Sequence, residues 1–382
     1  MENYYEKILV IFLILLIVLT GCETITGGPL GLEVIDEGQD YNQFLFRRGT
    51  FTWTKYGIYT VVNNKIRYLD KDDNWNLLCF DSECEHDSVN CSAYVETSSI
   101  FTYDDQLYYV LYKDNKFTLN KMDLMGKNRE QIKILDINET EPMSTFECQI
   151  ANNYLVLNYR YLNEITEPGV IKITNESATY VTSLDKQSPT KKFLSGYSYV
   201  AMISDYWLFY IQSETKEGIR SLKAYNFDTE KTITVFDNYN SYSKNVASIY
   251  NPEPNIFYWF NIEQGFMKMD TETLEKTVIK EADSRIQSGG AIYDDKYVYV
   301  TNSIPAPDNK DISDEQLGVY IYDHDGNYID FVSTSNVKFI GYAFSAMNKL
   351  YLATTSTGTL PTLFYINKDD IGTGNLQWVV KR

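Results

Sequence analysis

Histidine is almost absent from this chain, and positive charge is scarce. Only two of the 382 residues are histidines, His86 and His324, which leaves few ways to build a Ser-His-Asp or Cys-His catalytic machine. Lysine and arginine number 34 against 52 acidic residues, the formal net charge is −18, and no basic stripe is visible. Because a polyanion would be repelled, we do not expect nucleic acid as a partner. Helical periodicity is also missing after Leu19, and 33 tyrosines with 19 phenylalanines indicate strands instead.

The N-terminus carries an unbroken apolar run from Ile8 to Leu19. Crossing a bilayer takes roughly 20 apolar residues, so this run suits the core of a signal peptide better than a membrane span. It ends in Leu19-Thr20-Gly21-Cys22, an order that resembles the bacterial lipobox. The resemblance implies that residues 1–21 are a lipoprotein signal peptide. It also implies that a diacylglyceryl group on Cys22 anchors the chain to the cell membrane, facing the extracellular side.

One feature of this N-terminus departs from the usual signal peptide. Glu2 and Glu6 stand where a net positive charge is normal, so an uncleaved membrane anchor is the alternative. Residues 22–40 contain Gly27-Gly28-Pro29 and read as a flexible tether. The remaining residues, 41–382, are predicted to form one β domain.

A strand signature recurs seven times along this domain. The copies are Gly57-Ile58-Tyr59-Thr60, Leu107-Tyr108-Tyr109-Val110, Tyr154-Leu155-Val156-Leu157, Trp207-Leu208-Phe209-Tyr210, Ile256-Phe257-Tyr258-Trp259, Tyr297-Val298-Tyr299-Val300 and Leu350-Tyr351-Leu352. Further strands flank each copy; in the third repeat we assign the next strand to Val170–Thr174 and a connection to Leu184–Tyr197. Four short strands repeating at intervals of roughly 40 to 53 residues predict an all-β fold, a β-propeller.

We expect seven blades, with six or eight as alternatives, and a stack of β-sandwich modules as the competing architecture. The repeat resembles the tyrosine-rich propellers of exported lipoproteins in low-GC Gram-positive bacteria. The resemblance implies the same fold over essentially the whole mature chain, but it implies no defined activity for the family.

Within a blade of strands a to d, the b–c and d–a connections lie on one face of the propeller. The longer connections on this face belong to blades 3, 4, 6 and 7. That face is the expected binding surface.

The most unusual local chemistry is Cys79-x4-Cys84-x-His86-x4-Cys91, in the d–a connection after blade 1. It resembles an element of the same spacing in those exported lipoproteins. Three thiolates and an imidazole complete a tetrahedral set for structural zinc. If Cys22 is lipidated, however, Cys79, Cys84, Cys91 and Cys148 form an even set of four in an oxidising location. We therefore favour a disulfide among these four, with zinc and then free thiols as the alternatives and no other cofactor.

Two acidic segments, Asp70–Asn74 and Asp323–Asn327, resemble the start of calcium loops but lack the later ligands, and we assign them to Asx turns. The aromatic run Phe257–Phe260 is assigned to packing between blades.

We expect a non-enzymatic module that binds an extracellular peptide, glycan or protein. The alternatives are a glycan-active enzyme using paired carboxylates near the propeller axis, and a structural component of an envelope complex.

Overall fold

The computed structural model describes residues 51–97, 99–138, 143–151, 153–161, 164–167, 170–172, 177–204, 206–213, 219–237, 239, 249–286, 290–302, 316–335, 337, 342–353 and 359–381. The predicted signal peptide, Cys22 and the predicted tether lie outside these residues. Within them, seven four-stranded antiparallel sheets follow one another along the chain. The prediction of an all-β, seven-bladed propeller is confirmed.

Each blade runs from strand a at the propeller axis, where a strands of neighbouring blades contact one another, to strand d at the rim. The a strands are Phe51–Thr54, Phe101–Tyr103, Met143–Ala151, Tyr199–Ile203, Ile249–Glu253, Ala291–Tyr293 and Tyr342–Ala346. The b strands are Gly57–Val62, Gln106–Lys113, Tyr154–Tyr161, Trp207–Ser213, Ile256–Asn261, Val298–Asn302 and Lys349–Ala353.

The c strands are Lys65–Leu69, Lys116–Asp123, Ser177–Ser183, Arg220–Asn226, Gly265–Asp270, Gly318–Tyr322 and Leu363–Asn367. The d strands are Trp75–Leu77, Glu130–Leu135, Lys191–Gly196, Thr232–Phe236, Lys276–Lys280, Tyr328–Ser333 and Val379–Lys381. A short 3-10 helix, Lys368–Asp370, follows the last c strand. No helix among the described residues is long and apolar enough to cross a membrane.

Burial follows the position of a strand in its blade. Strand c of blade 6, Gly318–Tyr322, is buried at every residue because both of its faces pack against neighbouring blades. This two-sided burial explains the unbroken aromatic and aliphatic runs of the inner strands. At the rim, strand d of blade 5, Lys276–Lys280, is largely exposed and carries lysine at both ends. Charge on such an edge strand opposes pairing with other chains.

Seven separate hydrophobic clusters fill the seven joints between consecutive blades. The cluster between blade 7 and blade 1 closes the ring, and in it the Phe344 ring stacks on Phe51 and Trp53 at centroid distances of 5.3 and 5.5 Å. Nearby, Lys349 of blade 7 forms a 2.7 Å ion pair with Asp73 of blade 1. Among the described residues each of these two blades is one contiguous segment, so side chains, and not a shared sheet, join blade 7 to blade 1.

Blade 3 differs from the sequence-based assignment. Val170–Lys172 is not strand c; it pairs with Glu164–Glu167 in a separate hairpin inside the b–c connection. Strand c is Ser177–Ser183, and strand d, Lys191–Gly196, occupies the segment that we had assigned to a connection. Both candidate segments alternate apolar and polar residues, so local pattern could not separate them. The long b–c connection folds back on itself before the chain rejoins the sheet.

Candidate metal centre

Cys79, Cys84, His86 and Cys91 converge at the joint between blades 1 and 2. One ligand atom of each residue, a thiol sulfur or an imidazole nitrogen, lies within 4.8 Å of all the others. Cys91 is 3% exposed and belongs to the hydrophobic cluster of this joint, with Cys79 and Cys84 packed at its edge. The four residues that sequence spacing singled out as zinc ligands are therefore brought together by the fold.

Backbone turns between the cysteines form this arrangement. The Cys84 N–H donates to the Asp81 carbonyl over 3.3 Å, and the Cys91 N–H donates to the Ser88 carbonyl over 3.0 Å. Between these turns His86 adopts a φ of 58°, in the left-handed region that side chains other than glycine rarely enter. The tight turns and the reversed backbone at His86 aim four side chains at one point.

The thiols interact closely with one another and with their surroundings. Cys91 Sγ lies 3.4 Å from His86 Nδ1 and accepts a hydrogen bond from the Ala93 N–H over 3.3 Å. Burial, reinforced by the neighbouring thiols of Cys84 and Cys79, raises the pKa of Cys91 to about 11. Burial also raises the pKa of Cys79, but hydrogen bonds around its sulfur outweigh burial and hold that pKa below its ordinary value. Three thiolates this close together would need a cation between them.

The connection that carries the cluster is fastened at both of its ends to blade 1. The Leu78 N–H donates to the Ile66 carbonyl over 3.0 Å, and the Val95 N–H donates to the Asn64 carbonyl over 2.9 Å. Asn64 lies in the b–c turn of blade 1, so the connection begins and ends at the expected binding face.

Between those ends the connection reaches the opposite side of the disc, where it meets the c–d turn of blade 2. The Arg129 guanidinium donates to the carbonyls of Cys91 and Ser92, each over 3.0 Å. Gly126, with φ 75°, lies so close that a Cβ atom there would overlap the Ser92 carbonyl. A pocket of about 500 Å³ opens beside the cysteines and is lined by this turn. The cluster therefore bridges two blades at the rim.

Cys148 lies apart from the other three cysteines, in strand a of blade 3. It is 3% exposed in the cluster between blades 2 and 3, and burial raises the pKa of its thiol far above the ordinary range. All four described cysteines are free thiols. A disulfide among them stays a prediction, whereas the convergence of four ligand atoms supports the metal-site alternative.

The remaining sequence candidates have structural roles. The carboxylates of Asp70 and Asp323 accept hydrogen bonds from N–H groups within their own c–d turns, as Asx turns require. His324 contacts the Asp294 carbonyl through Nε2 at 2.8 Å. Phe257 and Trp259 are fully buried in the joint between blades 4 and 5. The assignments of these segments to turns and to packing between blades are confirmed.

A buried ion pair between blades 6 and 7 was not anticipated from the sequence. Lys368 Nζ lies 2.6 Å from Asp294 Oδ2, and the two side chains are 2% and 1% exposed. The same carboxylate oxygen accepts hydrogen bonds from Tyr299 Oη and Ser345 Oγ, each over 2.8 Å. No sequence motif links residues so far apart; only the stacking of the two blades unites them.

The charge state of this pair follows from its surroundings. Burial raises the pKa of Asp294, but the Lys368 ammonium and two backbone N–H groups outweigh burial and lower that pKa below its ordinary value. Asp294 is therefore a carboxylate at neutral pH, and its charge is neutralised inside the protein.

No protein-family model and no curated protein sequence matches the chain significantly. Solved structures resemble it distantly. The β-propeller domain of the trilobed protease from Pyrococcus furiosus is 16% identical over 74% of this chain and 84% of that one, with a TM-score of 0.42. Oligogalacturonate lyase from Vibrio parahaemolyticus is 11% identical over 85% and 88%, with a TM-score of 0.47. An uncharacterized protein from Listeria monocytogenes is 12% identical over 72% and 80%, with a TM-score of 0.44. Likeness at this distance carries no argument about function.

Proposed function

We propose that this chain is a lipoprotein tethered through Cys22 to the outer face of the cell membrane, and that its propeller is a non-enzymatic binding module. The tether rests on the apolar run and the Leu19–Cys22 motif of the N-terminus. The ligand would be an extracellular peptide, glycan or protein. With a net charge of −18, the module favours neutral or cationic partners over anionic ones.

The observation that supports a binding module is the unequal length of the connections on the two faces of the disc. The b–c connections of blades 1, 2 and 5 are the tight turns 63–64, 114–115 and 262–264. Those of blades 3, 4, 6 and 7 are the longer segments 162–176, 214–219, 303–317 and 354–362. On the other face, every a–b connection has at most four residues. The c–d connections there have five to seven residues, except in blade 7, where residues 368–378 separate the two strands. Long connections on a rigid scaffold are the usual place for recognition.

The glycan-active alternative depends on a pair of carboxylates with different environments. Among the described residues, the one carboxylate side chain that is fully buried is Asp294, and Lys368 neutralises it. A carboxylate that is neutralised and hydrogen-bonded is suited to a structural role and poorly suited to proton transfer. We therefore place binding ahead of catalysis.

The anchor is tested by labelling growing cells with a radioactive fatty acid. We expect label on the full chain, loss of label in Cys22→Ser, and accumulation of a longer precursor when the lipoprotein signal peptidase is inhibited. Cys148→Ser is the matched control and should remain labelled. Unlabelled wild-type chain would contradict the anchor.

Binding is tested with the full chain in detergent on an array of cell-wall glycans and a peptide library. A variant in which residues 303–317 are replaced by a two-residue Asn-Asn turn like that of blade 1 should lose the bound probe. A control with Asn-Gly in place of Asp104-Asp105, on the opposite face, should retain it. Turnover of any glycan, abolished by one carboxylate substitution, would refute a non-enzymatic module.

A further inference from the structure

We propose that Cys79, Cys84, His86 and Cys91 bind one structural zinc ion, which fastens the rim of blade 1 to blade 2. A tetrahedral zinc with Zn–S bonds of about 2.3 Å separates its sulfur ligands by roughly 3.8 Å. The four ligand atoms already lie within 4.8 Å of one another. Small rotations of the side chains are enough to complete the coordination.

The donor set selects the metal. Calcium and magnesium bind oxygen ligands, whereas three sulfurs and one imidazole nitrogen suit zinc. Four protein ligands fill a tetrahedral site and leave no position for a substrate or a reactive water. The ion is therefore a structural cross-link.

One feature of the backbone supports a bound ion. The Ala93 N–H points at Cys91 Sγ over 3.3 Å, and such a donor stabilises a metal-bound thiolate.

The position of the site explains why a cross-link is needed there. Strand d of blade 1 has only three residues, Trp75–Leu77, so the connection that follows has little sheet to pair with. Cys91 is buried in the joint, and Arg129 of blade 2 holds the carbonyls of Cys91 and Ser92. The ion ties the outer residues Cys79 and Cys84 to this inner anchor. Zinc thus extends the joint from Cys91 outward to Cys79 and Cys84.

Metal analysis and thiol counting on the full chain, purified in detergent without a metal-affinity step, test the proposal. We expect one equivalent of zinc and no disulfide, with Cys79, Cys84, Cys91 and Cys148 all reacting once the protein is unfolded with chelator. Cys84→Ser should lose the ion, while Cys148→Ala, the matched control, keeps it. His86→Cys preserves a four-ligand site and should also keep it, which separates lost coordination from failure to fold.

A second measurement tests the mechanical role. Removal of zinc should raise the rate of proteolysis between Cys79 and Cys91 by about tenfold, without a matching change in blades 4 and 5. Cobalt substitution should give the thiolate charge-transfer band of a tetrahedral site. Absence of zinc refutes the proposal, whether two thiols are missing, as in a disulfide, or all remain free. Bound zinc with unchanged proteolysis after its removal refutes the cross-link.

Discussion

Replacing Lys368 by methionine should destabilise the propeller strongly. In the native joint between blades 6 and 7, Lys368 Nζ lies 2.6 Å from Asp294 Oδ2, with both side chains almost fully buried. Methionine fills a similar volume but carries no charge. The substitution therefore leaves the Asp294 carboxylate inside the protein, with hydrogen bonds from Tyr299 and Ser345 but no counter-charge.

The magnitude follows from the cost of an uncompensated buried charge. Breaking a buried ion pair by removing one partner costs about 3–5 kcal/mol. With an unfolding entropy of about 2.1 cal/mol/K per residue, a domain of this size should lose roughly 4 to 7 °C in melting temperature. The carboxylate can escape part of this cost by taking up a proton, so the pKa of Asp294 should rise in the variant.

Urea and thermal unfolding, followed by tryptophan fluorescence, measure the change. The decisive comparison is the double variant Asp294→Asn/Lys368→Met, which should be more stable than Lys368→Met alone because no charge remains buried. Asp295→Asn is the control: Asp295 is 55% exposed and lies 3.5 Å from Lys368, so its loss should cost at most about 1 kcal/mol. A loss below 1 kcal/mol in Lys368→Met would refute the reasoning.

The contribution of Asp294 to the free energy of unfolding depends on pH with a defined sign. The pKa of Asp294 is lower in the folded protein than in the unfolded chain, so its contribution is fully present above about pH 4. That contribution is lost as the pH falls through the folded-state pKa. Because the pKa of Asp294 is raised in Lys368→Met, the folded variant takes up its proton before the folded wild type does. The stability difference between wild type and Lys368→Met should therefore begin to narrow above about pH 4 and should continue to narrow as the pH falls toward the folded-state pKa of the wild type.

Three further predictions concern other joints and turns. In equilibrium unfolding, Gly126→Ala should lower the free energy of unfolding far more than Gly196→Ala does. Both glycines have φ near 75°, but only a Cβ atom at Gly126 would meet backbone atoms. Equal losses of unfolding free energy in the two variants would contradict this clash. Lys349→Met should cost about 1–3 kcal/mol in the same assay, because it leaves the partly buried Asp73 carboxylate at the ring closure without its cation. An unchanged midpoint would show that aromatic stacking alone closes the ring. Hydrogen bonds from the neighbouring arginine lower the pKa of Asp283 to about 2. The contribution of Asp283 to the free energy of unfolding should therefore be present above pH 4 and lost as the pH falls toward 2. Asp283→Asn should remove this part of the loss of stability in acid.

Much of the fold could be predicted because each blade repeats the same local signals. The inner strands are apolar runs, and the turns between them carry Asp, Asn or Gly. Blade 3 shows the limit of this reasoning. Val170–Lys172 and Ser177–Ser183 both look like strand c, and only pairing with strand b, where Tyr154 faces Ser183, decides between them. Register is a long-range property that a local pattern does not contain.

The candidate metal centre was visible in the sequence as a set of residue types, but not as a geometry. The spacing of Cys79, Cys84, His86 and Cys91 is compatible with zinc or with a disulfide, and counting thiols favoured the disulfide. The fold separates Cys148 into another joint and places the other three sulfurs around one imidazole. Whether a cysteine belongs to the metal site therefore depends on the joint between blades in which it lies.

The sequence by itself determined that the chain after its N-terminal segment consists of repeated four-stranded units, because the repeat period and the strand signatures are local. It also determined which side chains could bind a metal. Tertiary structure alone decided how the ring closes, through Phe344 on Trp53 and Lys349 on Asp73, and that Asp294 meets Lys368. These contacts join residues from different blades. Their energy comes from stacking one sheet on the next, and no short-range pattern in the chain records which side chains will then meet.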